Sequence, residues 1–172
     1  ATWYRPTSLY EIVEGGEYRR DKNYLICYFP HALYPYAFWL IYDYMKEHFA
    51  IRFLYTGADI VLWVPILRRI HAWWGFTKVS YKPLQENLQR PYPYNTLMLQ
   101  PDGIRGMFYG INGKHEQVVL HRRRGFCRVA LETGASLVPC YVFGANQLYR
   151  RTWGPQSRAD RLSQQLGIPF VY

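Results

Sequence analysis

Short apolar runs alternate with amphipathic stretches along most of this chain. Residues 25–29 form an unbroken apolar run that stops at Pro30, the pattern of a buried strand. Residues 32–48 follow with Leu33, Ala37, Leu40, Ile41 and Tyr44 at helical spacing and predict a helix. A second strand is expected over 51–55, then an apolar helical stretch over 58–74 interrupted by Pro65. Residues 82–89 predict a short polar helix, and 96–99 and 117–120 predict strands. The best-defined helix spans 125–133, where Phe126, Val129, Ala130 and Thr133 share a face and Gly134 supplies the stop. Residues 136–143 read as a strand whose Pro139 assigns it to an edge or a bulge. A last polar helix over 158–166 ends at Gly167, and 168–172 read as a strand just starting. Strands and helices in alternation predict an α/β fold: a mixed, partly parallel sheet flanked by helices. We expect one domain over residues 1–172, incomplete at both ends.

Composition narrows the setting. Aromatic residues make up 19% of the chain, with 17 Tyr and 6 Trp, and the formal charge is +9. Aromatic rings with a polar edge favour boundaries between apolar and wet surroundings. Positive charge favours phosphates, nucleic acid or acidic lipid headgroups. The basic residues are not interleaved with aromatics in an RNA-binding pattern, so no nucleic-acid partner is expected. Cys27, Cys127 and Cys140 are widely spaced and odd in number, which argues against a disulfide scaffold or a zinc site. No metal is expected, and a reducing, cytosol-facing setting fits best. The longest apolar stretch, 33–45, is broken by Asp43 and falls short of a bilayer span.

Three clusters can carry chemistry. His31 follows Tyr28-Phe29-Pro30 where a strand gives way to a helix, and strand ends in open α/β sheets are where ligands usually bind. A histidine there can act as general base, or simply cap the loop and pack against Tyr34. Gln100-Pro101-Asp102-Gly103-Ile104-Arg105-Gly106 directly follows the strand at 96–99. Pro101 and Gly103 make it a tight turn, Arg105 can hold a phosphate or carboxylate, and Asp102 can orient a histidine or Arg105. An ordinary surface turn has the same composition. Arg122, Arg123 and Arg124, followed by Gly125 and Phe126, open the clearest helix. Cations there oppose the helix dipole by roughly 0.3–1 kcal/mol each, so a nearby anion would account for them, as would a merely solvated charge run. No Gly-x-Ser-x-Gly elbow, phosphate-loop lysine or Rossmann glycine fingerprint is present.

Residues 124–144 read Arg-Gly-Phe-Cys-Arg-Val-Ala-Leu-Glu-Thr-Gly-Ala-Ser-Leu-Val-Pro-Cys-Tyr-Val-Phe-Gly, and Asn146 and Tyr149 follow. This stretch resembles the type 2 diacylglycerol and monoacylglycerol acyltransferase family, within the glycerolipid acyltransferase superfamily. The family pattern there is a basic residue, Gly-Phe, an apolar helix, then Leu-Val-Pro-x-Tyr-x-Phe-Gly. The 100–106 turn resembles the family's Pro-Gly-Gly block and the superfamily's Phe-Pro-Glu-Gly-Thr-Arg block. The 28–32 segment resembles its His-Pro-His-Gly block, with His31 on the second histidine. Phe29 stands in place of the first histidine, and Ala32 in place of the glycine. Asp102 replaces a glycine, Gly106 stands where a glutamate is usual, and Ala145 replaces another acid.

The resemblance implies a glycerolipid-acyltransferase-like fold and acyl transfer from acyl-coenzyme A, the co-substrate, to a lipid alcohol. No further cofactor is implied. His31 would be the catalytic base and Asp102 its partner. Pro101, Gly103, Arg105, Arg122, Arg123, Arg124, Gly125 and Phe126 would bind substrate. Backbone N–H groups at the start of the 32–48 helix or in the 101–103 turn would stabilise the oxyanion. It also implies a membrane surface on the cytosolic side, at the endoplasmic reticulum or a lipid droplet, with 58–74 as a membrane-surface element, an acyl-chain wall or a core helix. Diacylglycerol or monoacylglycerol is the leading acceptor. A wax or phytyl alcohol, a lysophospholipid, or lipid binding without turnover remain alternatives.

Overall fold

The computed structural model describes residues 18–33, 35, 37–109, 117–121, 123–148, 152–153 and 157–166. Five strands, β1 (Tyr24–Phe29), β2 (Phe53–Gly57), β3 (Phe76–Lys78), β4 (Thr96–Leu99) and β5 (Ser136–Tyr141), form one sheet in the order β3-β2-β4-β1-β5. Every pairing among them is parallel, so the α/β class holds while the sheet is parallel throughout rather than mixed. Parallel neighbours need crossovers, and helices supply them: α1 (Ala37–Phe49), α2 (Pro65–Trp73), α3 (Tyr81–Leu88), α4 (Gly103–Tyr109) and α5 (Gly125–Thr133), while α6 (Arg158–Leu166) follows β5.

Alternate residues of the central strands feed two apolar layers. Tyr24, Ile26 and Tyr28 point to the side of α1, where they meet Phe38, Met45, Phe53 and Met98. Leu25 and Cys27 point the other way, to Leu84 and Leu88 of α3 and Val129 and Ala130 of α5. A strand covered on both faces has no polar face to show, which is why β1 reads as an unbroken apolar run. Fully burying one such side chain contributes about 1.5–3 kcal/mol, so this middle of the sheet carries much of the stability.

Several boundaries differ from the sequence expectation. The helix expected from residue 32 begins at Ala37, because Ala32 takes φ 51° and Pro35 lacks an N–H for a helical ladder. The 58–74 stretch divides at Pro65: a 3-10 turn over Asp59–Trp63 precedes α2, with the proline at the first helical position, where its missing donor costs nothing. No strand forms over 117–120; Val118 and Leu120 are 37% and 42% exposed, and no ladder pairs them. β5 is an edge of the described sheet, as Pro139 required. The 168–172 segment lies outside the described residues. All three cysteines are free.

Candidate active site

The order of the strands decides where the site lies. After β1 the chain crosses to β2 and β3 on one side of β4, and after β4 it crosses past β1 to β5. The carboxyl ends of β1 and β4 therefore flank the crevice where the winding changes direction, the usual ligand position in such sheets. Register pairs Cys27 with Leu99, so the loops that continue the two strands emerge side by side. One loop carries His31 and the other Asp102.

The two residues meet, though not ring to carboxylate. Asp102 Oδ2 accepts a 3.1 Å hydrogen bond from the His31 backbone N–H. The imidazole Nδ1 lies 2.9 Å from the Ala32 carbonyl oxygen. A carbonyl only accepts, so Nδ1 carries the proton and Nε2 keeps its lone pair. Burial of the ring, in a residue that is only partly exposed, holds the His31 pKa below the ordinary histidine range, opposed by the hydrogen bond to Ala32. His31 is thus neutral near pH 7 with a basic Nε2. The expectation that Asp102 orients the histidine is corrected in its means: it holds the backbone of the loop, while Ala32 orients the ring. Ala32 does so from φ 51°, a left-handed conformation that favours the glycine of the resembling family.

Asp102 has no exposed surface. Burial pushes its carboxyl up to about 6, against the pull of the backbone N–H groups of His31, Asp102 and Gly103 and the charge of Arg123. Among the described residues its Oδ1 has no hydrogen-bond partner. Gly106, one turn along α4, makes room for it. A Cβ at 106 would collide with the Asp102 carboxylate and stand 3.0 Å from the His31 Cβ. The acid at 102 and the glycine at 106 are therefore one arrangement, since the carboxylate occupies the space a side chain at 106 would need. Sequence reading registered both as departures from a family pattern but not their contact.

The remaining expected residues divide. Pro101 is buried in the turn, and Gly103 takes φ 55° beside the exposed Arg123, whose guanidinium Nη1 would lie 3.6 Å from a Cβ there. Arg123 thus joins the turn. Arg124 is exposed at the cap position of α5, Gly125 has open space around it, and Phe126 packs against the apolar layer beneath β1. Gly125 and Phe126 build the start of that helix. Arg105 is exposed and faces α6, and Arg122 lies outside the described residues. The Gly103 N–H, expected as an oxyanion donor, already donates to the Gln100 carbonyl at 3.0 Å. Gln100 was not expected at the site; its amide lies 3.5 Å from the His31 carbonyl and joins the two loops. Among the described residues no three His, Cys, Asp or Glu side chains gather where they could hold a metal ion.

A parallel α/β sheet with a neutral histidine at its switch point defines a class of fold and site rather than one reaction. Comparison with known proteins supplies the family. The family model Diacylglycerol acyltransferase matches residues 1–168, and the chain belongs to that family. Its relatives include 2-acylglycerol O-acyltransferase 3 of Homo sapiens, 28% identical over 159 residues, covering 87% of this chain and 46% of the relative. Diacylglycerol O-acyltransferase 2-like protein 6 of Bos taurus is 30% identical over 160 residues, covering 90% and 47%. Acyl-CoA wax alcohol acyltransferase 2 of Mus musculus is 29% identical over 146 residues, covering 81% and 43%. The chain spans a little under half the length of the curated relatives it matches. No solved structure matches it.

Proposed function

We propose that this chain carries the catalytic base of an acyl-coenzyme-A-dependent O-acyltransferase that esterifies a lipid alcohol, diacylglycerol or monoacylglycerol, at a membrane surface. The observation that carries the reading is the state of His31: neutral, its Nδ1 held on the Ala32 carbonyl and Nε2 left free, at the strand ends of a chain from an acyltransferase family. Nε2 takes the proton of the acceptor hydroxyl as its oxygen attacks the thioester carbonyl. The tetrahedral intermediate then collapses, the carbon–sulfur bond breaks, and the imidazolium returns the proton to the leaving thiolate. Asp102 is a positioning residue that fixes the loop beneath the ring. Arg123, at the edge of the same turn, supplies positive charge for the phosphates of coenzyme A.

Attachment to the membrane falls to α2. Among the described residues no helix is long and apolar enough to cross a bilayer. Ile66 and Trp73 on α2 are nonetheless 72% and 90% exposed, and Trp63, which ends the 3-10 turn before it, is 78% exposed. Arg68 and Arg69 are exposed on α2 too, a combination suited to an interface with acidic headgroups. Wax alcohol is the second acceptor class, since one relative is named for it.

Release of coenzyme A from acyl-coenzyme A, measured with the full-length parent protein and a panel of diacylglycerol, monoacylglycerol and long-chain alcohol, tests the reading. Turnover should depend on one of these acceptors, and His31→Ala should lower it by roughly 10²–10⁴-fold. Undiminished turnover in a folded His31→Ala protein would overturn the assignment of the base.

A further inference from the structure

A hollow lies at the other end of the sheet from His31. His31 and Asp102 follow the carboxyl ends of β1 and β4, whereas Phe53 opens β2, Gly75 precedes β3 and Tyr94 precedes β4. In a parallel sheet these three mark the amino ends of their strands, away from the proposed chemistry. With α1 and the end of α2 they surround a space of about 240 Å³. Phe38 and Phe53, 3% and 1% exposed, make its floor. Trp39 meets Trp74 edge to face, with ring centroids 4.2 Å apart, and Tyr42 meets Phe53 in the same way at 5.2 Å. The walls therefore hold one another in place. Exposed Arg52, Trp73 and Tyr94 form the rim. The Arg52 backbone N–H donates to the Pro93 carbonyl at 3.3 Å, which ties the start of β2 to the loop carrying Tyr94. Among the described residues Arg52 makes no ion pair, and no carboxylate lines the space.

Leu54 is the one aliphatic side chain in this aromatic lining. A slot for a hydrocarbon chain has no need of ring faces. A quaternary ammonium does, because it is drawn to the negative face of tryptophan and tyrosine. A bare cation would be repelled by Arg52. A phosphate joined to that cation reverses the sign, since the guanidinium fork fits phosphate oxygens. The lining thus calls for both charges in one small group. Its volume falls below the usual range for drug-sized ligands and suits a headgroup rather than a whole lipid. Trp73 belongs both to the rim and to the exposed side of α2 proposed to meet the bilayer, so the space opens where headgroups lie.

We propose that this hollow is a phosphocholine site, in which the aromatic rings cage the trimethylammonium group and Arg52 grips the phosphate of a phosphatidylcholine headgroup. The site stands apart from the proposed reaction and rests on the proposed membrane attachment only for the source of its occupant. Arg52 and Tyr94 are then binding residues that no motif marks.

The test titrates phosphocholine and phosphoethanolamine into the full-length protein, held in a maltoside detergent that carries neither phosphate nor ammonium, and follows tryptophan fluorescence. Phosphocholine should bind saturably and phosphoethanolamine about tenfold more weakly, because its primary ammonium keeps its water. Arg52→Gln should weaken phosphocholine binding by about tenfold, and Arg52→Lys should recover part of the loss. Trp73→Leu keeps apolar area but removes a ring face, and should cost about tenfold, with Trp73→Phe intermediate. Arg52 and Trp73 are exposed, so all four variants should keep the wild-type melting temperature. Trp63→Leu, outside the lining, should bind phosphocholine as wild type does. Absence of saturable binding, equal affinity for the two probes, or full affinity in Trp73→Leu each overturns the site. In flotation, adding phosphatidylcholine to phosphatidylglycerol vesicles should raise partition of the wild type but not of Arg52→Gln; no rise overturns the lipid headgroup as occupant. Flotation with neither vesicle, with phosphocholine still bound, removes the membrane attachment proposed for α2 and leaves the cage.

Discussion

The loops around His31 and the helix α2 are built to opposite standards. At the crevice each group is fixed by the others: Asp102 has no exposed surface, its carboxylate holds the His31 backbone, and Gly106 leaves no space for a methyl group. On α2, Ile66 and Trp73 stand 72% and 90% exposed. The proposed proton transfer requires atoms placed within hydrogen-bond reach, whereas the proposed adhesion to a surface requires only apolar area and charge of the right sign. Substitutions in the first region should therefore act through geometry, and those in the second through composition.

The largest expected effect that sharpens this contrast is a pH dependence. The Asp102 carboxyl is held at about 6, up from 3.8, so the folded protein binds a proton there more tightly than the unfolded chain does. Stability is fully present below about 4 and declines as pH rises through about 6, by up to about 3 kcal/mol. His31 and His71 act in the opposite sense, because burial lowers both below the ordinary value and stability falls as pH drops beneath it. Asp102→Asn should therefore abolish the decline between pH 4 and 6 and leave only the histidine limb, as chemical denaturation across that range would reveal. An unchanged profile would mean that Asp102 is not buried in solution.

Next in size is Gly106→Ala. The added methyl should destabilise the fold by about 1–3 kcal/mol, the usual range for overpacking. Adding Asp102→Gly to it should recover stability, giving a coupling in a double-mutant cycle that independent sites would not show. The smallest effect belongs to α2. Trp73→Ala should leave the melting temperature unchanged while weakening partition onto anionic vesicles by about tenfold, as flotation can measure. If partition holds and stability falls, Trp73 belongs to the core and the contrast between the regions fails.

Much of this architecture was legible in the residues. The unbroken apolar run of β1, the periodicity and Gly134 stop of α5, and Pro139 on an edge strand all follow from local rules, and the structure matches them. His31 and Asp102 each follow a predicted strand, and the resemblance to the acyltransferase family joined them in one expected site. What escaped detection depends on tertiary contact. α4 is 7 residues long and contains two glycines, so nothing local separates it from a turn. β3 has 3 residues, too few for any period. The 117–120 segment has the residues of a strand but no partner, and propensity without a ladder does not make one. The role of Gly106 depends on a carboxylate four residues earlier, a contact that no alternation of polar and apolar positions encodes.

The hydrogen bond between Asp102 and the His31 backbone joins positions 71 apart in the chain, and everything from α1 to α3 lies between them. Helices and turns can form within microseconds from neighbours alone, but β1 and β4 can dock only after that long excursion has closed on itself. The crevice is thus a product of global topology rather than of any local segment. A chain can regain most of its helical signal before the proposed base is in place, and recovery of the proposed turnover would report that the two halves of the sheet have met.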